Sequence, residues 1–199
     1  MNNDEVVDRW VGRYPPADIS PSEFESFIVN LLETAAPGIE DFRVNLHEVI
    51  PGVDGSFDFD ATLRYRLMGF DFLVVIEAKR HRNPVKRELV QVLHSKVQSV
   101  GANKGIMFST APFQRGAIEF AKVHGVALVV VTEGRFTLET RSLGGHPPLS
   151  REQALALYGL PTFAAVLFSA GDTPGSTRLS TLDENSGNRI REELLSITL

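Results

Sequence analysis

The chain has 199 residues, 43% hydrophobic and 23% charged, with 20 basic against 25 acidic side chains for a formal net charge of −5. That length and apolar content suit one globular domain with a real core and exclude wholesale disorder. No cysteine is present, which excludes a thiol nucleophile, Cys-ligated zinc, an iron–sulfur cluster and a disulfide framework, leaving carboxylates, histidines and lysines to carry any catalysis.

The first residues, Met1-Asn2-Asn3-Asp4-Glu5, are acidic and polar, the wrong character for a secretory signal. No stretch reaches the ~18 apolar residues that cross a bilayer. A cytoplasmic protein with no membrane partner is expected. A leader over residues 1–19, holding Trp10 and the Pro15-Pro16 break, precedes Ser20-Pro21-Ser22-Glu23. The serine, first-turn proline and third-position glutamate predict a capped helix start. Phe24, Phe27, Ile28, Leu31 and Leu32 form its apolar stripe, with Glu25 beside it, and Pro37-Gly38 ends it.

Phe42, Val44, Leu46 and Ile50 alternate as a first strand, followed by turn residues from Pro51 to Gly55. A second strand, Phe57 to Arg66, sets Phe57, Phe59, Ala61, Leu63 and Tyr65 on one face and Asp58, Asp60, Thr62, Arg64 and Arg66 on the other. After a turn at Met68-Gly69, Phe70 to Lys79 stays apolar until it ends in charge, which suits a central strand covered on both faces. Glu77 and Lys79 project from the same side of it.

Pro84 introduces a helix from Val85 to Val100, with Val85, Leu89, Val92, Leu93, Val97 and Val100 inward and Gln91, Ser95 and Gln98 on a polar face, stopped by Gly101. Gly105 to Ser109 is a short strand. Ser109-Thr110 are expected to cap a helix over Pro112 to His124, with Gly125 at its C-terminus, and Val126 to Val131 is a further strand. Three strands in hairpin-like succession, then strand–helix alternation, predict an α/β fold with a mixed central sheet flanked by helices. The domain is placed at residues 20–143. Residues 144–199 form a C-terminal extension with linker-like Gly144 to Pro148, a helix at Arg151 to Tyr158 and a turn-rich stretch from Gly171 to Gly187. Its Phe163, Val166, Leu167 and Phe168 would pack on the domain or form a subunit contact.

Asp58 and Asp60 on one strand and Glu77-Ala78-Lys79 on the next form the constellation with chemical potential, with Glu25 as an addition. Two carboxylates converging from neighbouring strands, with the Ala78 carbonyl between, make an all-oxygen site suited to Mg²⁺ or Mn²⁺. A lysine two residues past the glutamate can orient a metal-bound water or offset charge on a phosphorane-like transition state. From Lys79 to Lys104, seven basic residues stand against Glu88 alone. Arg80, His81, Arg82, Lys86 and Arg87 in this run would either hold a polyanionic backbone or form an ordinary solvated loop and helix start. The bland alternative makes Asp58 and Asp60 the wet face of a half-exposed strand. Glu77 and Lys79, however, end the most hydrophobic strand, where burying charge is costly unless it is paired or functional. No G-x-S-x-G elbow, Walker loop or G-x-G-x-x-G occurs, so serine-hydrolase and nucleotide-cofactor readings lack their geometry.

Ser22-Glu23-Phe24-Glu25 with Leu31-Leu32, Gly55-Ser56-Phe57-Asp58-Phe59-Asp60-Ala61, Ile76-Glu77-Ala78-Lys79, Val90-Gln91 and Gly101-Ala102-Asn103-Lys104-Gly105-Ile106-Met107-Phe108-Ser109-Thr110 resemble the Mrr-like branch of the PD-(D/E)xK restriction endonuclease superfamily. Phe113-Gln114-Arg115-Gly116-Ala117 and Phe120-Ala121 continue the resemblance, which runs over about residues 20–132. It implies a restriction-endonuclease-like α-β-β-β-α-β core and a Mg²⁺-dependent DNA endonuclease similar to type IV restriction enzymes, with Mn²⁺ as a substitute. Asp60 and Glu77 would hold the metal, Lys79 would be the catalytic lysine, Gln91 the family's helix glutamine and Glu25 the helix acid. Asp58 competes with Asp60: the spacing from Asp54-Gly55 favours Asp58, the Asp-Ala-Thr continuation favours Asp60, and Asp60 is taken as the principal ligand.

Two other readings belong beside this one. The first is a catalytically silent nuclease fold that binds DNA or protein, or a nuclease subunit that needs a partner. The second is a resolvase-like enzyme for branched DNA. Cutting both strands with one site per chain favours a homodimer.

Overall fold

The computed structural model describes residues 16–136, 150–170, 173, 176–193 and 195. Trp10, Pro15, the Gly144 to Pro148 segment and part of the stretch beginning at Gly171 lie outside the described residues. The first helix, α1 (Pro21–Glu33), starts as its sequence predicts: the Ser20 hydroxyl accepts from the Glu23 N–H at 3.3 Å, and the Glu23 carboxylate accepts from the Ser20 N–H at 2.9 Å. Strands β1 (Glu40–Pro51), β2 (Ser56–Leu67) and β3 (Phe70–Lys79) follow as an antiparallel meander. Positive φ angles at Met68 and Gly69 make the tight β2–β3 turn.

Parallel strands need crossovers, and two helices supply them. Helix α2 (Arg87–Val100) carries the chain from β3 to β4 (Lys104–Ser109), and α3 (Arg115–His124) carries it to β5 (Ala127–Glu133). Then come α4 (Arg151–Tyr158), β6 (Phe163–Ala170), β7 (Thr177–Leu182) and α5 (Gly187–Glu193). The result is a seven-stranded mixed sheet in the order β1 to β7, with β5, β6 and β7 antiparallel. Phe163, Val166, Leu167 and Phe168 lie on β6, paired with β5. No helix among the described residues is long and apolar enough to cross a membrane.

Two cores sandwich the sheet. Phe24, Ile28, Leu31 and Leu32 of α1 and Ile190 of α5 pack on one face, against Leu63, Ile76, Phe108 and Val129. Val90, Leu93 and Val97 of α2 and Ala117, Ile118 and Ala121 of α3 pack on the other, against Val75, Met107 and Leu128.

Four expectations need correction. Phe57, Phe59, Ala61, Leu63 and Tyr65 do not share one face: Ala61, Leu63 and Tyr65 enter the α1 core, while Phe57 and Phe59 join Ile50 in the α2 core. The β2–β3 ladder begins only at Ala61 opposite Ile76, so beyond that point β1 and β2 are a two-stranded ribbon, which twists more strongly than an embedded sheet. Val85 is not helical, because its N–H donates to the Pro112 carbonyl at 2.8 Å and its carbonyl accepts from the Gln114 N–H at 2.9 Å. Val92 faces solvent at 55% exposure, since α2 turns Val90, Leu93 and Val97 to the sheet. Ser109 and Thr110 do not cap α3, whose N-cap is Gln114. The Ser109 hydroxyl accepts from the Ala111 N–H, and the Thr110 hydroxyl donates to the His81 carbonyl, both at 3.0 Å.

Candidate active site

The site forms where β2 and β3 part. With no strand partner on that side past Ile76, the Ala78 N–H would be left without an acceptor. The Asp60 carboxylate supplies one: its Oδ2 accepts from the Ala78 N–H at 2.7 Å. Twist of the hairpin is what carries Asp60 there. His47, between Leu46 opposite Ala61 and Glu48 opposite Phe59, stands across from Asp60 and has φ +52, a conformation few residues other than glycine adopt. The hairpin tip is anchored on the end of α2, where the Val53 N–H donates to the Ser99 carbonyl at 3.0 Å and the Ser99 hydroxyl donates to Asp54.

Glu77 is buried, with its side chain only 8% exposed, and both of its oxygens are taken. Lys79 donates to Oε2 at 2.6 Å, and Lys96, from α2, donates to Oε1. The Lys79 ammonium also lies 4.0 Å from Asp60 Oδ2. Asp60 and Glu77 therefore converge on a single cation, which here is the Lys79 ammonium. Lys96 further reaches the Asp58 carbonyl at 3.5 Å, and its ammonium lies 5.3 Å from the centroid of the Phe59 ring.

Asp60, Glu77 and Lys79 are thus brought together. Other candidates are not in direct contact with them. Asp58 is exposed, and only its backbone carbonyl takes part. Glu25 lies 3.7 Å from His47, which places it on the flank of the site across β1. Gln91 is half-buried on α2, five residues before Lys96, and at helical spacing the two point to different sides of the helix. Arg80, His81, Arg82, Lys86 and Arg87 are all exposed and form a basic rim directly after Lys79. The Arg87 guanidinium lies over the Phe120 ring at 5.2 Å. Lys79 itself is fixed through its backbone, its carbonyl accepting from the His81 and Thr110 N–H groups at 3.1 Å each.

Lys96 belongs to the basic run from Lys79 to Lys104, and no motif in the sequence assigns it to the site. Its spacing on α2, beside inward Leu93 and Val97, was the one available signal.

Among the described residues, no group of three or more His, Cys, Asp or Glu side chains is gathered closely enough to hold an ion on protein ligands alone. The donor set still fits a hard divalent cation. Mg²⁺ keeps several waters and is commonly held by one or two carboxylates, and Asp60, Glu77 and the Ala78 carbonyl are all oxygen donors.

A family model described as a restriction endonuclease, that of the Mrr catalytic domain, matches residues 16–137. The type IV methyl-directed restriction enzyme EcoKMrr of Escherichia coli (strain K12) is 28% identical over 127 residues, covering 63% of this chain and 38% of that enzyme. The chain thus spans well under half the length of this relative. Among solved structures, a protein of unknown function, AF1548, overlaps 52% of this chain and 54% of its own at 19% identity and a TM-score of 0.43. The DNA modification-dependent restriction endonuclease AspBHI overlaps 63% of this chain and 32% of its own at 21% identity and a TM-score of 0.38.

Proposed function

The chain belongs to the Mrr-like restriction endonuclease family, and from that premise we propose that it is a divalent-metal-dependent endonuclease that hydrolyses phosphodiester bonds in DNA. The observation that carries the reading is the convergence of Asp60 and Glu77 on the Lys79 ammonium, at the end of a buried strand and beside an exposed basic rim. Asp60, Glu77 and the Ala78 carbonyl would hold Mg²⁺ or Mn²⁺, with Asp58 and Glu25 as further acids on the flanks of the site. When bound, such a cation lowers the pKa of a coordinated water and offsets charge on the phosphate.

The protein's own residues do the rest. Lys79, held at its backbone by two N–H donors, presents a positive charge where an attacking hydroxide and a charged phosphate would meet. Asp60 fixes the end of β3 through Ala78, so that Lys79 and Glu77 keep their relative position. Arg80, His81, Arg82, Lys86 and Arg87 seat the DNA backbone. A homodimer would bring two such sites to a duplex, one per strand.

The test is cleavage of supercoiled plasmid, methylated and unmethylated, with Mg²⁺ or Mn²⁺. Wild type is expected to nick or linearise it, and Asp60→Ala, Glu77→Ala and Lys79→Ala are expected to lose at least a hundredfold. Unchanged metal-dependent cleavage in all three variants would refute the assignment. Cleavage of four-way junctions alone would move the substrate to branched DNA. Binding without cleavage by folded wild type would favour the silent or partner-dependent module.

A further inference from the structure

Glu77 is committed twice over. Both of its carboxylate oxygens carry an ammonium, and its side chain is 8% exposed. A divalent cation that approaches this carboxylate meets an ammonium on each oxygen, so withdrawal of one of the two lysines opens Glu77 as a ligand by removing a positive charge from beside the metal.

The two lysines are not equivalent. Lys79 comes from the same strand as Glu77, two residues on, and lies 4.0 Å from Asp60 Oδ2 as well, so it keeps a carboxylate partner when Glu77 turns away. Lys96 comes from α2, and among the described residues Glu77 is its one carboxylate partner. Its remaining contacts are weak: the Asp58 carbonyl at 3.5 Å and the Phe59 ring at 5.3 Å. Its side chain is 22% exposed, so a way out to solvent is open.

Charge gives the same answer. Asp60, Glu77, Lys79 and Lys96 sum to zero. A divalent cation added to that set would leave a partly buried site at +2, with like charges crowded around the buried Glu77 carboxylate. With the Lys96 ammonium withdrawn to solvent the site stands at +1, and one DNA phosphate restores neutrality.

We propose that Lys96 is a displaceable counter-cation: it holds the Glu77 oxygen that a divalent metal needs, gives it up when the metal binds, and is then free to pair with a phosphate of the bound strand. Lys96 is a positioning residue in this scheme, and the scheme rests on the metal-dependent reading above. It makes metal loading and DNA binding mutually reinforcing, because whatever draws the ammonium off Glu77 opens the ligand. The reciprocal effect is required by linkage.

The experiment measures Mn²⁺ affinity of the full chain, without DNA, by calorimetry and by the electron paramagnetic resonance signal of free Mn²⁺. Wild type is compared with Lys96→Met, Lys96→Arg and Glu77→Gln. Lys96→Met keeps the apolar stem on Phe59 and removes only the charge, and circular dichroism confirms that each variant is folded. The expected result is an increase in Mn²⁺ affinity of about tenfold in Lys96→Met, no increase in Lys96→Arg, and loss of binding in Glu77→Gln. A role in folding alone would not move affinity upward, because a damaged site binds metal less well. Glu77-dependent binding that is equal or weaker in Lys96→Met would overturn the Lys96 proposal while leaving the metal-dependent reading intact. Absence of Glu77-dependent Mn²⁺ binding in both wild type and Lys96→Met would overturn both.

Discussion

Replacing Asp60 by alanine and by asparagine separates two jobs done by one carboxylate. Asp60 Oδ2 accepts from the Ala78 N–H at 2.7 Å, at the place where β2 and β3 stop pairing. Ala78 is half-buried, so Asp60→Ala leaves its N–H without a protein acceptor and only partly open to water. Losing one partner of such a bond costs about 1–3 kcal/mol. The Asp60 side chain is 37% exposed, which places the expected loss in the lower half of that range. Asparagine keeps an acceptor oxygen of the same reach, so Asp60→Asn should cost less than about 1 kcal/mol, the difference between a charged and a neutral acceptor. Urea unfolding followed by circular dichroism measures both values, and plasmid cleavage with Mg²⁺ is run on the same preparations. Both variants should lose cleavage, because neither retains the negative charge, while only the alanine variant should lose appreciable stability. If Asp60→Ala unfolds at the same urea concentration as wild type, the carboxylate does not bridge the divergence of the two strands.

Three further outcomes are expected. Burial raises the pKa of Glu133, but the hydrogen bonds from Arg151, the nearby Arg135 charge and the Arg151 charge outweigh it and hold the carboxyl below its ordinary value of 4.5. A lowered folded-state pKa contributes stability above the unfolded value, and that stability is lost as pH falls through the folded one. Arg151→Met should therefore cost about 1–2 kcal/mol near neutral pH, the charged hydrogen-bond value discounted for a half-exposed arginine. The gap from wild type should close as the solution is acidified below the carboxylate range, and a gap independent of pH would contradict the assignment. Gly52→Ala would drive a methyl group onto the Ser99 hydroxyl and to 3.0 Å from the Ser99 carbonyl. It should destabilise by about 1–3 kcal/mol in chemical denaturation, as overpacking does, and a neutral result would mean that the hairpin tip does not rest on α2. Arg82→Ala and Lys86→Ala should each weaken DNA binding without changing sequence preference and reduce the slope of log affinity against log salt by about one, which a salt titration of binding anisotropy reads directly.

What the sequence made legible is local. The capping box at Ser20 and Glu23 needs only four residues, and the apolar run from Phe70 ending in Glu77 and Lys79 announces both a covered strand and a charged terminus. The glycines after α2 and α3, Gly101 and Gly125, stop those helices with φ of 65° and 70°. What stayed hidden depends on contacts between distant segments. Period-two alternation assumes a ribbon that keeps its face, and nothing near Phe57 or Phe59 announces that the β2–β3 ladder ends at Ile76 and leaves the hairpin free to twist. Counting from Val85 puts Val92 on the inward face of α2, but Val85 belongs to a bridge with Phe113 rather than to the helix, and Lys96, as a charged residue, carries no apolar signal that would place it inside.

One event accounts for both the misread alternation and the site. If β2 had stayed paired with β3 to its end, the Ala78 N–H would be bonded in the ladder and Asp60 would have no reason to approach it. If the hairpin had stayed flat, Phe59 would lie under α1 and could not sit beneath Lys96. Divergence of the strands opens a slot at the end of β3, twist turns Asp60 into it, and anchoring of the tip on Ser99 sets the Asp58 carbonyl and the Phe59 ring against Lys96. The carboxylates therefore converge because the sheet fails to continue, and a variant that extended the β2–β3 ladder past Ile76 would remove the site without altering any of its residues.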